Sequence, residues 1–168
     1  MINALLITRI LVPYDGSKQS ENALHKALRL AENISEHSEI TILTVVQRIV
    51  LPAMIEAPRF RSKITGEEIP AESLEKELCQ QVKEAALKTL NDMKLKINRS
   101  HPNGRMKIKT KVVIGNPTDE IVKYAKEAAT DMIIIGSVGR SGLSKLKLLG
   151  SVSRGVSERA PCPVMITR

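Results

Sequence analysis

The chain has 168 residues, 42% of them hydrophobic and 26% charged, with a formal net charge of +8. That length suits one domain, which buries roughly 70% of its unfolded surface without disulfides or metal staples. No apolar run approaches the roughly 20 residues of a membrane span, and Cys79 and Cys162 stand far apart, as two small packed thiols and not as zinc ligands.

The positive charge admits three meanings: solvated helix faces, help in holding a polyphosphate, or a nucleic-acid partner. Tyr14, Phe60 and Tyr124 are the only aromatic residues, too few for a platform on which single strands stack. No zinc finger or aromatic RNA-binding motif is present, so nucleic acid is the least expected of the three. Lysines and arginines are spread along the chain, with a modest cluster at Arg140, Lys145, Lys147 and Arg154.

The opening stretch MINALLITRILVPYDG is apolar but carries Arg9 just before Leu11-Val12 and has no small-residue cleavage site. It has the character of a first strand, Ile7–Tyr14, and not of an export signal, so a cytoplasmic location is expected. Ser17 or Asp15 offers a cap for a helix from Lys18 to about Asn33, with Ala23, Leu24, Ala27, Leu28, Leu30 and Ala31 on one side. Glu39–Val46 is β-branched and apolar at nearly every position, as a strand covered on both faces should be.

From Gln47 to Ala71 the pattern breaks, with three prolines, one glycine and mixed charges. That is too long for an ordinary connection and suggests a lid or a partner surface. Leu51, Met54 and Ile55 either meet a partner or tuck onto the domain. A long helix from about Ser73 to Lys96 follows. Leu74, Leu78, Val82, Ala86, Leu90, Met93 and Ile97 step by three and four along it, predicting one stripe that faces inward.

The third strand, Lys107–Ile114, ends at Gly115, and Pro117 stands where the first turn of a helix tolerates it. Ile121, Val122, Ala125 and Ala128 form the apolar side of that helix. Met132–Ile135 is the fourth strand, a fourth helix starts near Ser151, and Pro163–Thr167 is the fifth strand. Gly155 inside the fourth helix costs up to ~1 kcal/mol against Ala and has no local reason.

Alternating strands and helices predict a single-domain α/β fold, a doubly wound, Rossmann-like parallel five-stranded sheet in the order 3-2-1-4-5. In that order the first and fourth strands are neighbours, and a ligand crevice opens at their C-terminal ends. Those ends carry Asp15 and Gly136, 121 residues apart in the chain.

The fourth strand runs into DMIIIGSVGRSGLSKLKLLGS, an apolar run ending in spaced glycines and then a helix start. Residues without a Cβ let backbone amides approach an anion, and a helix N-terminus adds partial positive charge. The arrangement points to a nucleotide. It is not a Walker element, because Gly139-Arg140-Ser141 lacks the lysine and the preceding glycine spacing. His25, His37 and His101 fall in a helix, a connection and a turn, and none supplies a base near the phosphates, so at most slow hydrolysis is expected.

These segments together resemble the universal stress protein family over essentially the whole chain. ILVPYDGSKQSENAL is similar to its first strand and DGS turn, VVIGNPTDEIVKYAKEAATDMIIIGSVGRSGL to its third-strand glycine, Pro-led helix and fourth strand, and GSVSRGVSERAPCPVMITR to its closing helix and strand. The ATP-binding branch of that family carries Gly-x2-Gly-x9-Gly-[Ser/Thr] after the fourth strand. Here Gly136 and Gly139 fit, but ten residues, Arg140 to Leu149, precede Gly150-Ser151. Either the loop near Gly142 absorbs the extra residue, or the Gly150-Ser151 amides are re-aimed.

The resemblance implies an adenine nucleotide alpha hydrolase-like fold and a site for ATP, or another adenine nucleotide, with Mg²⁺ or Mn²⁺. It implies that Pro13 and Tyr14 form a pocket wall, that Asp15 takes the ribose hydroxyls or lies near the metal, and that backbone groups of Val45 meet the adenine edge. Gly136, Ser137, Val138, Gly139, Arg140, Ser141 and Gly142 would wrap ribose and phosphates. Gly150, Ser151, Val152 and Ser153 would hold the terminal phosphates. It also implies a homodimer through Val164–Thr167, whose bare edge invites pairing. Three functions follow as alternatives: a nucleotide-dependent regulatory switch with an unidentified protein partner, a weak ATPase or phosphotransfer enzyme, or a nucleotide-free interaction module.

Overall fold

The computed structural model describes residues 7–34, 37–51, 59–102, 104–139 and 149–168. In chain order the elements are β1 (Arg9–Pro13), α1 (Lys18–Ile34), β2 (Ser38–Val46), β3 (Arg59–Arg61), β4 (Glu68–Pro70), α2 (Ala71–Ser100), β5 (Met106–Ile114), α3 (Pro117–Glu127), β6 (Met132–Gly136), α4 (Ser151–Arg159) and β7 (Val164–Thr167). Five strands form one sheet in the order β5-β2-β1-β6-β7, every pair parallel. This is the predicted doubly wound order, with β5, β6 and β7 as the third, fourth and fifth strands of the main sheet.

The period-two alternation of the strands divides the core into two layers. Ile10, Val12, Ile40, Ile42 and Ile134 point to one face, where α1 and α2 supply Ala23, Leu24, Ala27, Leu28, Leu90 and Ile97. Leu11, Leu43, Ile133 and Ile135 point to the other and pack on Ile121 and Ala125 of α3 and Val156 of α4. Both faces are covered, which explains why the strands are apolar at consecutive positions. One carboxylate fixes the β1–β6 junction: Asp131 accepts hydrogen bonds from the Thr8 amide and hydroxyl, the Arg9 amide and the Arg9 guanidinium, at 2.8 to 3.2 Å.

Gly155 acquires its reason here. A Cβ at this position would stand 2.8 Å from Thr118 Cγ2, so α3 and α4 cross at a distance only glycine permits.

Three sequence expectations change. The segment 47–71 contains a short antiparallel hairpin, with Arg59 opposite Pro70, Phe60 opposite Ile69 and Arg61 opposite Glu68. Strands of three residues leave no periodicity to detect. Met54 and Ile55 lie outside the described residues, whereas Leu51 is half-buried and its amide donates to Glu75 Oε1 at 2.6 Å. The long helix extends over Ala71–Ser100, and its stripe turns fully inward only at Leu90 and Ile97. Val82, on the same stripe, is 44% exposed, because this part of α2 walls an open cleft.

Candidate functional site

At the C-terminal end of the sheet, β1 and β6 diverge into loops of opposite direction, and a cleft of about 920 Å³ opens there. The cleft collects most of the residues singled out by sequence: Pro13, Tyr14, Asp15, Val45, Gly136, Val138, Gly139, Gly150, Ser151, Val152 and Ser153 all line it. Ser137 lies buried just behind, and its carbonyl carries part of the scaffold. Arg140, Ser141 and Gly142 lie outside the described residues.

Each wall has a local cause. Gly16, with φ of +79°, turns the chain out of β1, and Asp15 Oδ1 accepts the Ser17 amide at 3.0 Å across that turn. Ser17 then caps α1, its hydroxyl accepting the Ser20 amide at 3.2 Å. The other carboxylate oxygen of Asp15 faces Gly139, so closely that a Cβ there would lie 2.6 Å from Oδ2. At Gly136 a Cβ would meet the backbone of Gln19 at 2.8 Å, so α1 approaches the end of β6 across a residue with no side chain.

The N-terminus of α4 is stitched to the same loop. The Gly150 amide donates to the Ser137 carbonyl at 2.7 Å, and the buried Ser153 hydroxyl donates to the carbonyls of Gly136 at 2.7 Å and Ser137 at 3.2 Å. Gly150 occupies the cap position, and among the described residues no side chain caps α4, so its first amides can serve as anion donors. Ser153 thus holds the helix end in place, while the exposed Ser151 side chain is presented to solvent. The one-residue departure in glycine spacing leaves Gly139 and Gly150 on one cleft.

Val45 offers its backbone and not its side chain. In a parallel ladder alternate residues turn both peptide groups to the same neighbouring strand. The Glu39 amide and the Leu43 carbonyl bond to the β1 side, whereas the Val46 carbonyl accepts the Gly115 amide on the β5 side. Val45 has the parity of Glu39 and Leu43, and β1 ends at Pro13, opposite Leu43. Its N–H and C=O therefore turn toward the space β1 has vacated, which is the cleft.

Among the described residues Asp15 is the only carboxylate that lines the cleft, and none of those lining it is a lysine, arginine or histidine. Tyr14 stays a neutral phenol: burial raises its pKa above the usual 10.0, and the charges of Glu21 and Asp15 push the same way. His25 is exposed on α1, and His101 sits at the end of α2 with Nε2 3.2 Å from Glu32. Among the described residues no group of three or more His, Cys, Asp or Glu is placed to hold a metal ion. A divalent cation would need oxygens from a ligand as well as from Asp15 and Ser151, both hard donors of the type Mg²⁺ prefers.

A profile of the universal stress protein family matches residues 7–168. The chain belongs to that family. Universal stress protein YxiE of Bacillus subtilis is 34% identical to it over 163 residues, covering 97% of this chain and 100% of YxiE. Among solved structures, the universal stress protein UspA from Lactobacillus plantarum superposes with a TM-score of 0.71 at 24% identity, over 96% of this chain and 98% of that one. The structure of MJ0577, a universal stress protein of Methanocaldococcus jannaschii, gives 0.71 at 28% identity, over 96% of each chain. A universal stress protein in complex with cAMP gives 0.57 at 24% identity, over 97% of this chain and 98% of that one.

Several lining residues of this universal stress protein escaped the sequence. Ile49, Val82, Ala86, Pro117 and Ile121 form the apolar side of the cleft. Val82 and Ala86 belong to a helical stripe that a core and a cleft wall write identically. Ile49 lies just past the end of β2, inside a segment without periodicity. Among the described residues no helix is long and apolar enough to cross a membrane.

Proposed function

We propose that this universal stress protein binds an adenine nucleotide, ATP first among them, and works as a nucleotide-dependent regulatory switch and not as a fast enzyme. The observation that carries the reading is the approach of Asp15 to Gly139 beside the uncapped start of α4. The cleft thereby offers, side by side, a carboxylate for ribose hydroxyls or a cation and a row of amides for phosphates. The Val45 peptide groups supply a donor and an acceptor in the pattern an adenine edge requires. Apolar walls from Pro13, Pro117 and Ile121 suit the faces of a base.

In this reading Asp15 holds the ribose or lies beside the cation, the glycines from 136 to 142 admit the phosphates, and Ser151 and Val152 amides bind the terminal ones. Mg²⁺ or Mn²⁺ would neutralise part of the triphosphate charge, which no described lysine or arginine of the cleft does. The universal stress protein solved with cAMP and an Arabidopsis thaliana family member with AMP bound share this fold, at 24% and 19% identity. They support the reading only through the fold's capacity to hold such ligands. A switch also needs an output. We assign it to a homodimer through β7 and to a protein partner, in the cytoplasm.

Mass spectrometry of small molecules released from the purified protein by mild denaturation tests the reading. An adenine nucleotide at near-stoichiometric yield, or saturable calorimetric heat with magnesium-ATP, is expected. No released nucleotide and no heat with ATP, ADP, AMP or cAMP would overturn it.

A further inference from the structure

Beside Pro117 and Ile121, the apolar side of the cleft has two pieces that lie outside the main sheet. One is the strap Gln47–Leu51, which leaves the end of β2; Gln47 and Ile49 line the cleft, while Val50 is 71% exposed. The other is the N-terminal half of α2 and its midpoint, where Val82 and Ala86 also line the cleft.

Among the described residues, two hydrogen bonds tie strap to helix. The Ile49 amide donates to the Cys79 sulfur at 3.3 Å, and the Leu51 amide donates to Glu75 Oε1 at 2.6 Å. The first is weak, because a thiol is a poor acceptor. The same half of α2 seats the β3–β4 hairpin, through Ser62 Oγ donating to Glu77 Oε1 at 2.6 Å. Glu77 Oε2 is buried there with no hydrogen-bond partner among the described residues, so that junction is also incompletely satisfied. Strap and hairpin carry the two most exposed large apolar residues among those described, Val50 and Ile64.

We propose that the strap relays occupancy of the cleft to the outer surface: a ligand group lying between Ile49 and Val82 clamps Gln47–Leu51 onto α2 and sets the presentation of Val50 and Ile64. The relay rests on the nucleotide reading above and assigns its regulation. The physical basis is differential contact. With the strap seated, a bound apolar face touches both walls; with the strap lifted, it touches one. Covering Val82, which is 44% exposed, adds burial that only the seated state provides in full. The coupling is reciprocal: whatever loosens the strap weakens the ligand by the same factor.

Cys79 reports on this directly. Its thiol is buried under the strap and is shielded in the seated state. In a Cys162→Ser background, the rate of Cys79 alkylation is measured with and without magnesium-ATP, and with inorganic tripolyphosphate, which fills the phosphate end alone. ATP is expected to slow labelling at least about fivefold and tripolyphosphate to leave it unchanged, the factor corresponding to a coupling near the low end of the usual range. Hydrogen exchange at the Ile49 and Leu51 amides should slow in parallel.

Glu75→Ala, outside the cleft, should speed labelling of the free protein and weaken ATP about fivefold. Val82→Ser should weaken ATP while leaving tripolyphosphate unaffected. Calorimetric ATP binding with unchanged Cys79 labelling, or unchanged affinity in Glu75→Ala, would overturn the relay and leave nucleotide binding standing. No ATP heat in the parent protein would overturn both.

Discussion

Asp15 fills the space that a side chain on Gly139 would need: Oδ2 of the carboxylate lies 2.6 Å from where a Cβ on Gly139 would stand. Two loops on neighbouring strands therefore depend on each other's composition. Gly139→Ala should push Asp15 out of position and lower ATP affinity about tenfold, as expected for disturbing one charge-assisted contact. Asp15→Ala removes the collision, so the double variant should bind no worse than Asp15→Ala alone. Calorimetry on this cycle checks the coupling.

At the α3–α4 crossing, helix propensity and packing oppose each other. Gly155→Ala improves propensity by up to ~1 kcal/mol, while the collision with Thr118 is of the kind that costs about 1–3 kcal/mol. Net destabilisation is expected in urea titrations. Adding Thr118→Ala removes Cγ2 and Oγ1 and should restore the helix benefit.

Asp131 supports β1 through four hydrogen bonds, and its pKa reflects them. Partial burial alone would raise it, but the Arg9 guanidinium and amide, with Thr8, hold it below the usual 3.8. A depressed carboxylate contributes stability that is present above its unfolded pKa and is lost as pH falls through the folded value. Asp131→Asn should thus cost about 1–3 kcal/mol near neutrality and show a shallower loss of stability below pH 3.8. Chemical denaturation at stepped pH measures both.

Strand β7 is the outer strand beside β6, and it exposes parts of Met165 and Ile166. In the proposed dimer, a second copy pairing there about a two-fold axis would cover part of both apolar side chains. Sedimentation is expected to give a dimer at micromolar concentration, and Met165→Lys with Ile166→Lys a folded monomer. A wild-type monomer would remove the dimer from the proposed switch.

The main sheet was legible because β2 and β6 are apolar at consecutive positions, Gly136 marks the end of β6, and Gly115 with a Pro-led helix marks the end of β5. The meeting of Asp15 with the Gly136 loop followed from strand order alone. The β3–β4 hairpin was not legible, since three residues per strand, most of them exposed, leave no alternation to detect. Gly155 looked unmotivated because its reason, Thr118, lies on another helix. Val82 was expected inside, because a helical stripe records which side is apolar and not whether protein or an open cleft lies opposite. Ile49 had no pattern at all; its place follows from where β2 stops.

The central place of β1 has a kinetic consequence. Its register partners in β6 are Met132 and Ile133, beside Ile10 and Leu11, so one flank of this ribbon stays bare until a segment more than a hundred residues distant arrives. Closing so large a loop is entropically slow, and topologies of high contact order fold sluggishly. Refolding jumps should therefore show β1–β6 docking as the late event, with the nucleotide pocket absent from any earlier collapsed species, and with aggregation competing at that stage.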